Sequence, residues 1–468
     1  VQKNKVMADS NTFRDSIATV DKQGKRNWIF AQQPKGRYYN IRSLLSIFYF
    51  SVFFSLPFIS INGRPLFLLN VVEGKFILFG AIFWPQDFFI FGLAMLTFIL
   101  FIVLFTMAFG RLFCGWMCPQ TIFMEMMFRR IEYWIEGDAA AQRVLARQPW
   151  NTDKIIRKTA KHLVFYALSF LIANIFLAYI ISAKSLGKII TAPLSEHTGG
   201  FIAILVFSGV FYGVFAFMRE QICTIVCPYG RLQGVLLDKN SILVAYDYER
   251  GEPRGKFRKD DSRAIGDCID CAQCVKVCPT GIDIRNGTQL ECVNCTACID
   301  ACDHMMDKTG RARGLIRYAS ENGIAQKAPL RFTPRLRIYS AILLLLMGAM
   351  VFMLTSRKPV SGTIMRTAGM LYQERGTDSI SNLYRIKLIN KTTAEIPLQL
   401  KLEEEPGHVE VMGKNTITVK AEGQGEGTFF IIVPKTALHN RKSTLYIGLY
   451  EGDKRIAVMR TTFLGPVQ

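Results

Sequence analysis

The chain has 468 residues, half of them apolar, with 35 phenylalanines, 12 cysteines and a formal net charge of +20. That length exceeds one ordinary domain, so two or three are expected. Such a charge invites a nucleic-acid reading, but Lys and Arg crowd the segments beside apolar runs of about 20 residues, long enough to cross a bilayer. The charge is therefore assigned to membrane topology, and no nucleic-acid partner is expected.

In chain order, residues 1–37 form a polar arm without an apolar core, so no cleavable signal is read there and the first span serves as an uncleaved anchor. Spans are expected at about Leu44–Ile61, Asp87–Phe109, His162–Ser182, Gly199–Met218 and Ile338–Thr355. Pro57 should kink the first. Between the first two, LFLLNVVEGKFILFGAIFW is broken by Glu73, Gly74 and Lys75 and reads as an interfacial hairpin, not a sixth span. Lys22, Lys25, Arg26, Lys35, Arg37 and Arg42 load the arm, and nine Lys or Arg between Arg111 and Lys161 load the connection after the second span. The connections after the first and third carry only Arg64 and Lys75, and Lys184 and Lys188. The positive-inside rule then makes the N-terminus and the loop 219–337 cytoplasmic and puts the C-terminal tail across the membrane.

The second and fourth spans each end in C-x3-C-P: RLFCGWMCPQTIFMEMM holds Cys114 and Cys118, and REQICTIVCPYGRLQGVL holds Cys223 and Cys227. Residues four apart share a helix face, and a following proline places each pair where its span loosens. Free cysteine also packs as a small hydrophobe. Two pairs with one spacing, one proline and one topological position favour chemistry over packing. Four thiols between two helices could bind copper, because soft thiolates select Cu(I), or could gate electrons as dithiol/disulfide couples. His162, His197, His304, His408 and His439 are scattered and offer no rival metal cluster. Arg111 and Arg231 flank the pairs and read as snorkelling at the membrane surface.

Residues 268–302, CIDCAQCVKVCPTGIDIRNGTQLECVNCTACIDAC, hold the other eight cysteines in two C-x2-C-x2-C-x3-C runs. In two-cluster ferredoxins the fourth cysteine of each run serves the other cluster. One [4Fe-4S] cluster is thus expected on Cys268, Cys271, Cys274 and Cys302, and the second on Cys292, Cys295, Cys298 and Cys278. Structural zinc uses longer spacers, and a disulfide framework suits an oxidising compartment. Asp303, not proline, follows Cys302 and should make that cluster harder to reduce. Clusters of this kind carry single electrons, so the loop reads as a wire.

The tail, 356–468, alternates apolar and polar residues in YRIKLIN, IPLQLKLEE, NTITVK, GTFFIIV, STLYIGLYEG and KRIAVMRTTF, with turn formers such as Glu405-Pro406-Gly407 and Glu451-Gly452-Asp453 between runs. Six or seven short strands without cysteine predict an immunoglobulin-like sandwich.

Through RLFCGWMCPQT, CTIVCPYGRLQ, YDYERGEPRG, GDCIDCAQCVKVCPTGIDIR and the tail, the chain resembles the CcoG/FixG/RdxA family of membrane polyferredoxins, the cytochrome c oxidase accessory proteins. The resemblance implies a bacterial inner-membrane protein that reduces Cu(II) to Cu(I) for assembly of cbb3-type oxidase. It implies cluster ligation by the eight loop cysteines and copper handling by Cys114, Cys118, Cys223 and Cys227. The division expected is a cytoplasmic arm (1–37), four membrane helices (38–220), a cytoplasmic two-cluster ferredoxin-like insert (221–337), a fifth helix (338–355) and a periplasmic Ig-like sandwich (356–468). Partners would be copper ions, a cytoplasmic electron donor, membrane lipid, oxidase assembly factors or a copper exporter or chaperone, and in a homodimer a second copy. Two alternatives stand. A quinol-linked subunit of the NapH type also carries C-x3-C-P pairs and two clusters, but leaves the sandwich unexplained. A non-enzymatic assembly scaffold would use its clusters only to stabilise the fold.

Overall fold

The structure is a computed structural model. It describes residues 18–20, 23–61, 64–70, 74–78, 81–83, 88–256, 265–327, 333–356, 359–367, 371–392, 394–403, 406–413, 416–421, 423–438 and 440–466. Lys22, Glu73, Glu405 and His439 lie outside them. Two compact units divide at Gly348/Ala349.

Among the described residues five helices are long and apolar enough to cross a membrane, four in the first unit over Arg37–Phe58, Phe89–Phe109, Thr152–Ile181 and Thr198–Met218, and a fifth, Pro334–Thr355, that contains the boundary between the units. We label the α-helices in them α1 (Arg37–Ser55), α2 (Phe88–Phe109), α3 (Thr152–Ile181), α4 (Leu194–Gly213) and α5 (Pro334–Thr355). At 1.5 Å per residue, the 22 residues of α2 reach about 33 Å, the depth of a hydrocarbon core. Leu44, Phe89, Leu163, Leu344 and Phe352 stand largely exposed on these helices. Only a lipid solvent makes such a surface inexpensive.

Two expectations about the spans need correction. Pro57 does not kink the first. Helix α1 stops at Ser55, and Leu56–Phe58 tightens into a 3-10 turn with Pro57 inside it, because the proline nitrogen cannot continue the hydrogen-bond ladder. The third span starts ten residues earlier than hydropathy suggested, at Thr152, where the Asn151 side chain accepts the Lys154 amide and caps the helix. The segment between the first two spans does not cross: β1 (Ser60–Ile61) pairs with β2 (Arg64–Pro65), and β3 (Phe67–Asn70), β4 (Lys75–Leu78) and β5 (Ala81–Phe83) form an antiparallel meander.

At the opposite ends of α2 and α4 lies the cysteine-rich part of the same unit. Here β6 (Leu243–Tyr246) pairs antiparallel with β7 (Ile316–Ala319), Leu243 opposite Ala319 and Tyr246 opposite Ile316, and so brackets both cysteine runs. The arm packs onto them. The Gln32 amide donates to Lys276 O at 2.8 Å, and the Asp300 carboxylate accepts the Tyr38 and Tyr39 amides at the start of α1. Tyr38 meets Trp116 and Tyr318 edge-on, and the Trp116 indole donates to Tyr318 Oη at 3.1 Å.

A buried ionic layer ties the spans to these connections. Glu132 meets Arg219 and Lys161, Glu136 meets Lys161 at 2.8 Å, and Arg129 meets Glu125 at 3.3 Å and Glu220 at 3.6 Å. Arg129 and Lys161, read above only as topology charges, are thus internal structure.

The second unit is a two-sheet sandwich. One sheet runs β12 (His408–Val411), β14 (Gln424–Pro434), β10 (Ser379–Asn390), β8 (Val360–Arg366), with β9 (Gln373–Arg375) also on β10. The other runs β13 (Ile417–Val419), β11 (Ile396–Glu403), β15 (Lys442–Glu451), β16 (Lys454–Leu464). Inward positions alternate along each strand, so Tyr384, Ile386, Leu388, Phe429 and Ile431 meet Leu398, Leu445, Ile447, Leu449 and Phe463 in a dry core. Each of the six expected runs contains a strand. The additional ones, β8, β9 and β12, are short or carry polar residues that hide the alternation.

Candidate functional site

Each cysteine run turns on two left-handed residues that are not glycine: Asp270 (φ 52°) and Ala272 (φ 54°) in the first, Asn294 (φ 53°) and Thr296 (φ 64°) in the second. The positions are equivalent, two and four residues after the leading cysteine. Such turns aim successive amides into a concavity that favours anions, a common frame around iron-sulfur centres. Helices Gln273–Lys276 and Ala297–Lys308 start directly after them.

Two cavities result. One is lined by Cys268, Cys271, Cys274 and Cys302, closed by Tyr246, Met306 and Leu315. The other is lined by Cys278, Cys292, Cys295 and Cys298, with Cys274 also in its wall. The donor sets are those the crossed spacing rule expects, and all twelve cysteines are free thiols. Among the described residues no three His, Cys, Asp or Glu converge closely enough for a single ion. Four thiols spread around a void fit a cluster and not a lone metal, so the residues present fit two [4Fe-4S] groups. Burial pushes the Cys274, Cys292 and Cys302 thiols up to about 12 and Cys295 up to about 11. Such sulfurs keep their protons unless a cation takes the thiolate charge.

The C-x3-C-P pairs depart from the helix-face expectation. Cys114 lies in the short helix Leu112–Trp116, whereas Cys118 is extended (φ −63°, ψ 124°) and caps the next helix, Pro119–Phe123. Cys223 lies in a π-helical turn, Ile222–Val226, and Cys227 is extended (φ −68°, ψ 114°) before Pro228–Leu236. A break separates the members of each pair, because proline suits the first turn of a new helix and not the interior of an old one. One cysteine of each repeat enters a shared apolar cluster, with Cys118 and Cys227 near enough to act on Cys223. Cys114 and Cys223 share an apolar cluster with Cys295, Val293, Val277 and Tyr229. Cys114 Sγ lies 3.5 Å from Gln233 Oε1, and Thr121 Oγ1 lies 3.7 Å from Cys223 Sγ. Burial pushes the Cys223 thiol up to about 12, with Cys118, Cys114 and Cys227 adding to the effect.

Arg111 does not snorkel. It is buried, donates to Gln233 Oε1 at 2.6 Å and also reaches Leu290 O. Arg42, which the sequence offered only as a topology charge, is buried too and donates to Gly115 O at 3.1 Å and Cys295 O at 3.0 Å. Gln233, Thr121 and Arg42 had no distinguishing sequence signal. Of the histidines, His162 pairs with Tyr212 (2.9 Å) and His304 lies exposed beside the cysteine runs. Neither joins the thiols.

Nitrogen fixation protein FixG of Rhizobium meliloti is 32% identical over 449 residues, 86% of this chain and 83% of its own. Proteins RdxB and RdxA of Cereibacter sphaeroides are each 33% identical, over 84% and 88% of this chain and 87% and 90% of theirs. The chain belongs to the FixG/RdxA family. Family profiles agree region by region: a 4Fe-4S dicluster domain over residues 218–321, an Ig-like fold at the C-terminus of FixG over 350–466, and a 4Fe-4S binding domain over 91–137. The last region contains Cys114 and Cys118 and no other cysteine. A FixG-related protein of Vibrio parahaemolyticus, solved as a crystal structure, aligns at TM-score 0.21 and 19% identity over 24% of this chain and 100% of its own, too slight a likeness to bear on the fold. This FixG/RdxA protein is a multi-pass membrane iron-sulfur protein of electron transfer, with an Ig-like C-terminal domain.

Proposed function

We propose that the protein reduces Cu(II) to Cu(I) at the thiols that end the second and fourth spans, in support of oxidase assembly, with the cysteine runs on the cytoplasmic side and the Ig-like tail across the membrane. Cys268, Cys271, Cys274 and Cys302 would hold one [4Fe-4S] cluster, and Cys278, Cys292, Cys295 and Cys298 the other. Bound there, the clusters would supply single electrons.

The observation that carries this reading is the shared apolar cluster of Cys114, Cys223 and Cys295. It sets one thiol of each repeat against a ligand of the second site. Cys114 and Cys223 would take copper as thiolates, each giving up its proton on binding. Thiolate sulfur favours Cu(I) over Cu(II), so one electron added to the bound ion completes the step without a bond to any other atom. Gln233 and Thr121 would fix the two sulfurs, and the apolar wall of Val293, Val277 and Tyr229 would keep water from them.

The test uses purified, iron-loaded full-length protein under anaerobic conditions, reduced and then given Cu(II) with a colorimetric Cu(I) chelator. Joint replacement of Cys114 and Cys223 by serine is expected to cut the yield of Cu(I) at least tenfold while iron content stays unchanged. Equal copper reduction in the double variant would remove these thiols from the mechanism. Normal oxidase assembly by variants lacking cluster ligands would favour the scaffold instead.

A further inference from the structure

Arg42 and Arg111 are 2% and 3% exposed, and among the described residues neither forms an ion pair. Arg42 gives its Nε and one Nη to the carbonyls of Gly115 and Cys295, and its other Nη has no hydrogen-bond partner. Arg111 gives its donors to the Gln233 amide oxygen and the Leu290 carbonyl. Of the carboxylates in the neighbourhood, Asp300 feels the Arg42 charge without forming an ion pair with it, and Glu291 adjoins Cys292. Asp300 accepts the Tyr38 and Tyr39 amides, and Glu125, which lines a small cavity with Arg42 and Cys295, pairs with Arg129. A buried guanidinium without a counter-charge is tolerated only where something else supplies the negative charge.

Both arginines lie against one cysteine set. Arg42 is bonded to the backbone of Cys295, and Arg111 to that of Leu290, two residues before Cys292. The other set differs. Arg285, the cation beside Cys274, is matched by Asp270 at 2.6 Å and Asp283 at 2.7 Å. Arg250 and Arg311 are matched by Asp267, and Asp303 adjoins Cys302. One cavity is flanked by ion-paired cations and the other by two that, among the described residues, form no ion pair.

We infer that Arg42 and Arg111 are the counter-ions of the cluster at Cys278, Cys292, Cys295 and Cys298, and hold it at a higher potential than the cluster at Cys268, Cys271, Cys274 and Cys302. The inference rests on the cluster assignment proposed above. A four-thiolate cluster is an anion in both oxidation states and gains one further negative charge when an electron is added, with no bond made or broken. Buried cations therefore stabilise its reduced form more than its oxidised form. An electron entering at either cluster would come to rest beside Cys114 and Cys223, so the pair of arginines gives the wire its direction.

The test is a potentiometric titration of iron-loaded full-length protein followed by electron paramagnetic resonance, which resolves two one-electron steps. Arg42→Gln and Arg111→Gln are each expected to lower the higher step by 59 mV or more, tenfold in a one-electron equilibrium, and to leave the lower step in place. Arg42→Lys and Arg111→Lys, which keep the charge, should load iron and keep the higher step within that margin, whether or not the glutamine variants load. Unmoved steps in the glutamine variants, a shift confined to the lower step, or lysine variants that behave as glutamine would overturn the inference. Loss of copper reduction with the two steps ordered as described would sink the copper reading alone, and a chain that takes up no iron would sink both.

Discussion

Gly115 offers a direct probe of the contact between the thiol segment and the second cysteine run. A methyl group added there would stand 2.4 Å from Val293 O and 2.8 Å from Asn294 O. Ordinary contact begins at 3.4 Å, so Gly115→Ala requires the two backbones to part by about 1 Å. Neither side yields easily. The obstructing atoms are main chain, and the Gly115 carbonyl is itself held by Arg42. Overpacking of this kind costs about 1–3 kcal/mol, and here it falls on the peptide that joins Cys292 to Cys295. Iron per chain should drop toward half, with the first cluster retained, and the melting temperature should fall. Iron and sulfide analysis with paramagnetic resonance reads the first effect, and calorimetry the second. Gly234→Ala is the control, because its methyl would meet at 2.4 Å only the end of the flexible Leu290 side chain, which can rotate away. A Gly115→Ala protein with full iron and an unchanged melting temperature would refute the claim that this close approach positions the second site.

Three further outcomes follow from the same structure. Cys278→Ser should give the resonance spectrum and iron content of Cys295→Ser, not of Cys271→Ser, because Cys278 lines the second cavity although it closes the first run; the reverse result would break the crossed assignment. Glu132→Gln strips buried Arg219 and Lys161 of a shared carboxylate and should cost about 3–5 kcal/mol in thermal or denaturant unfolding. Burial alone would raise the Glu132 pKa, but Arg219 and Lys161 outweigh it and hold the carboxyl below its ordinary value. A depressed folded-state pKa contributes stability that is present above the unfolded-state pKa and is lost as pH falls through the folded one, so the wild type should weaken in acid and Glu132→Gln should show less of that loss. In the tail, Asn390 donates to Ala394 O, Val419 O and Lys420 O and accepts the Thr392 amide; Asn390→Ala should lower the calorimetric stability of the Ig-like unit by about 2 kcal/mol and leave iron content untouched.

The periodic features of this chain were legible in its sequence, and the long-range ones were not. Spans announce themselves as apolar runs long enough to cross a bilayer, as in Leu44–Ile61, and strands by burial that alternates with period two, as in IPLQLKLEE. The crossed cysteine sets were legible because a cluster needs four ligands at fixed spacing. The break between Cys114 and Cys118 was half legible: the proline marks it, but not which of the two thiols turns inward. Arg42, Arg111, Thr121 and Gln233 were out of reach. Their partners are 73 and 253, 122 and 179, 102, and 122 residues away, and a buried unpaired arginine has the same letter as a solvated one. Arg111 was misread for that reason, since the snorkelling rule assumes water within reach of the guanidinium.

The two C-x3-C-P repeats are alike in backbone and unlike in what they touch, and that difference matters more than the likeness. Each begins with a left-handed residue that ends its span, Gly110 (φ 56°) and Arg219 (φ 49°), and each ends with an extended cysteine before a proline-led helix. At the next position the repeats diverge: Arg111 faces Gln233 and Leu290 O, while Glu220 joins the ionic layer with Arg129 and Arg26. After the first cysteine they diverge again. Gly115 admits the Val293–Asn294 backbone, where Thr224 stands in the second repeat and turns its hydroxyl to Glu220 O. The first repeat therefore meets the second cysteine run backbone to backbone at Gly115, and the second repeat meets it through the side chains of Cys223 and Tyr229 in the shared apolar cluster. The duplication supplies two similar sulfurs, and its lapses at Arg111 and Gly115 decide which of them lies beside the backbone of the second cysteine run.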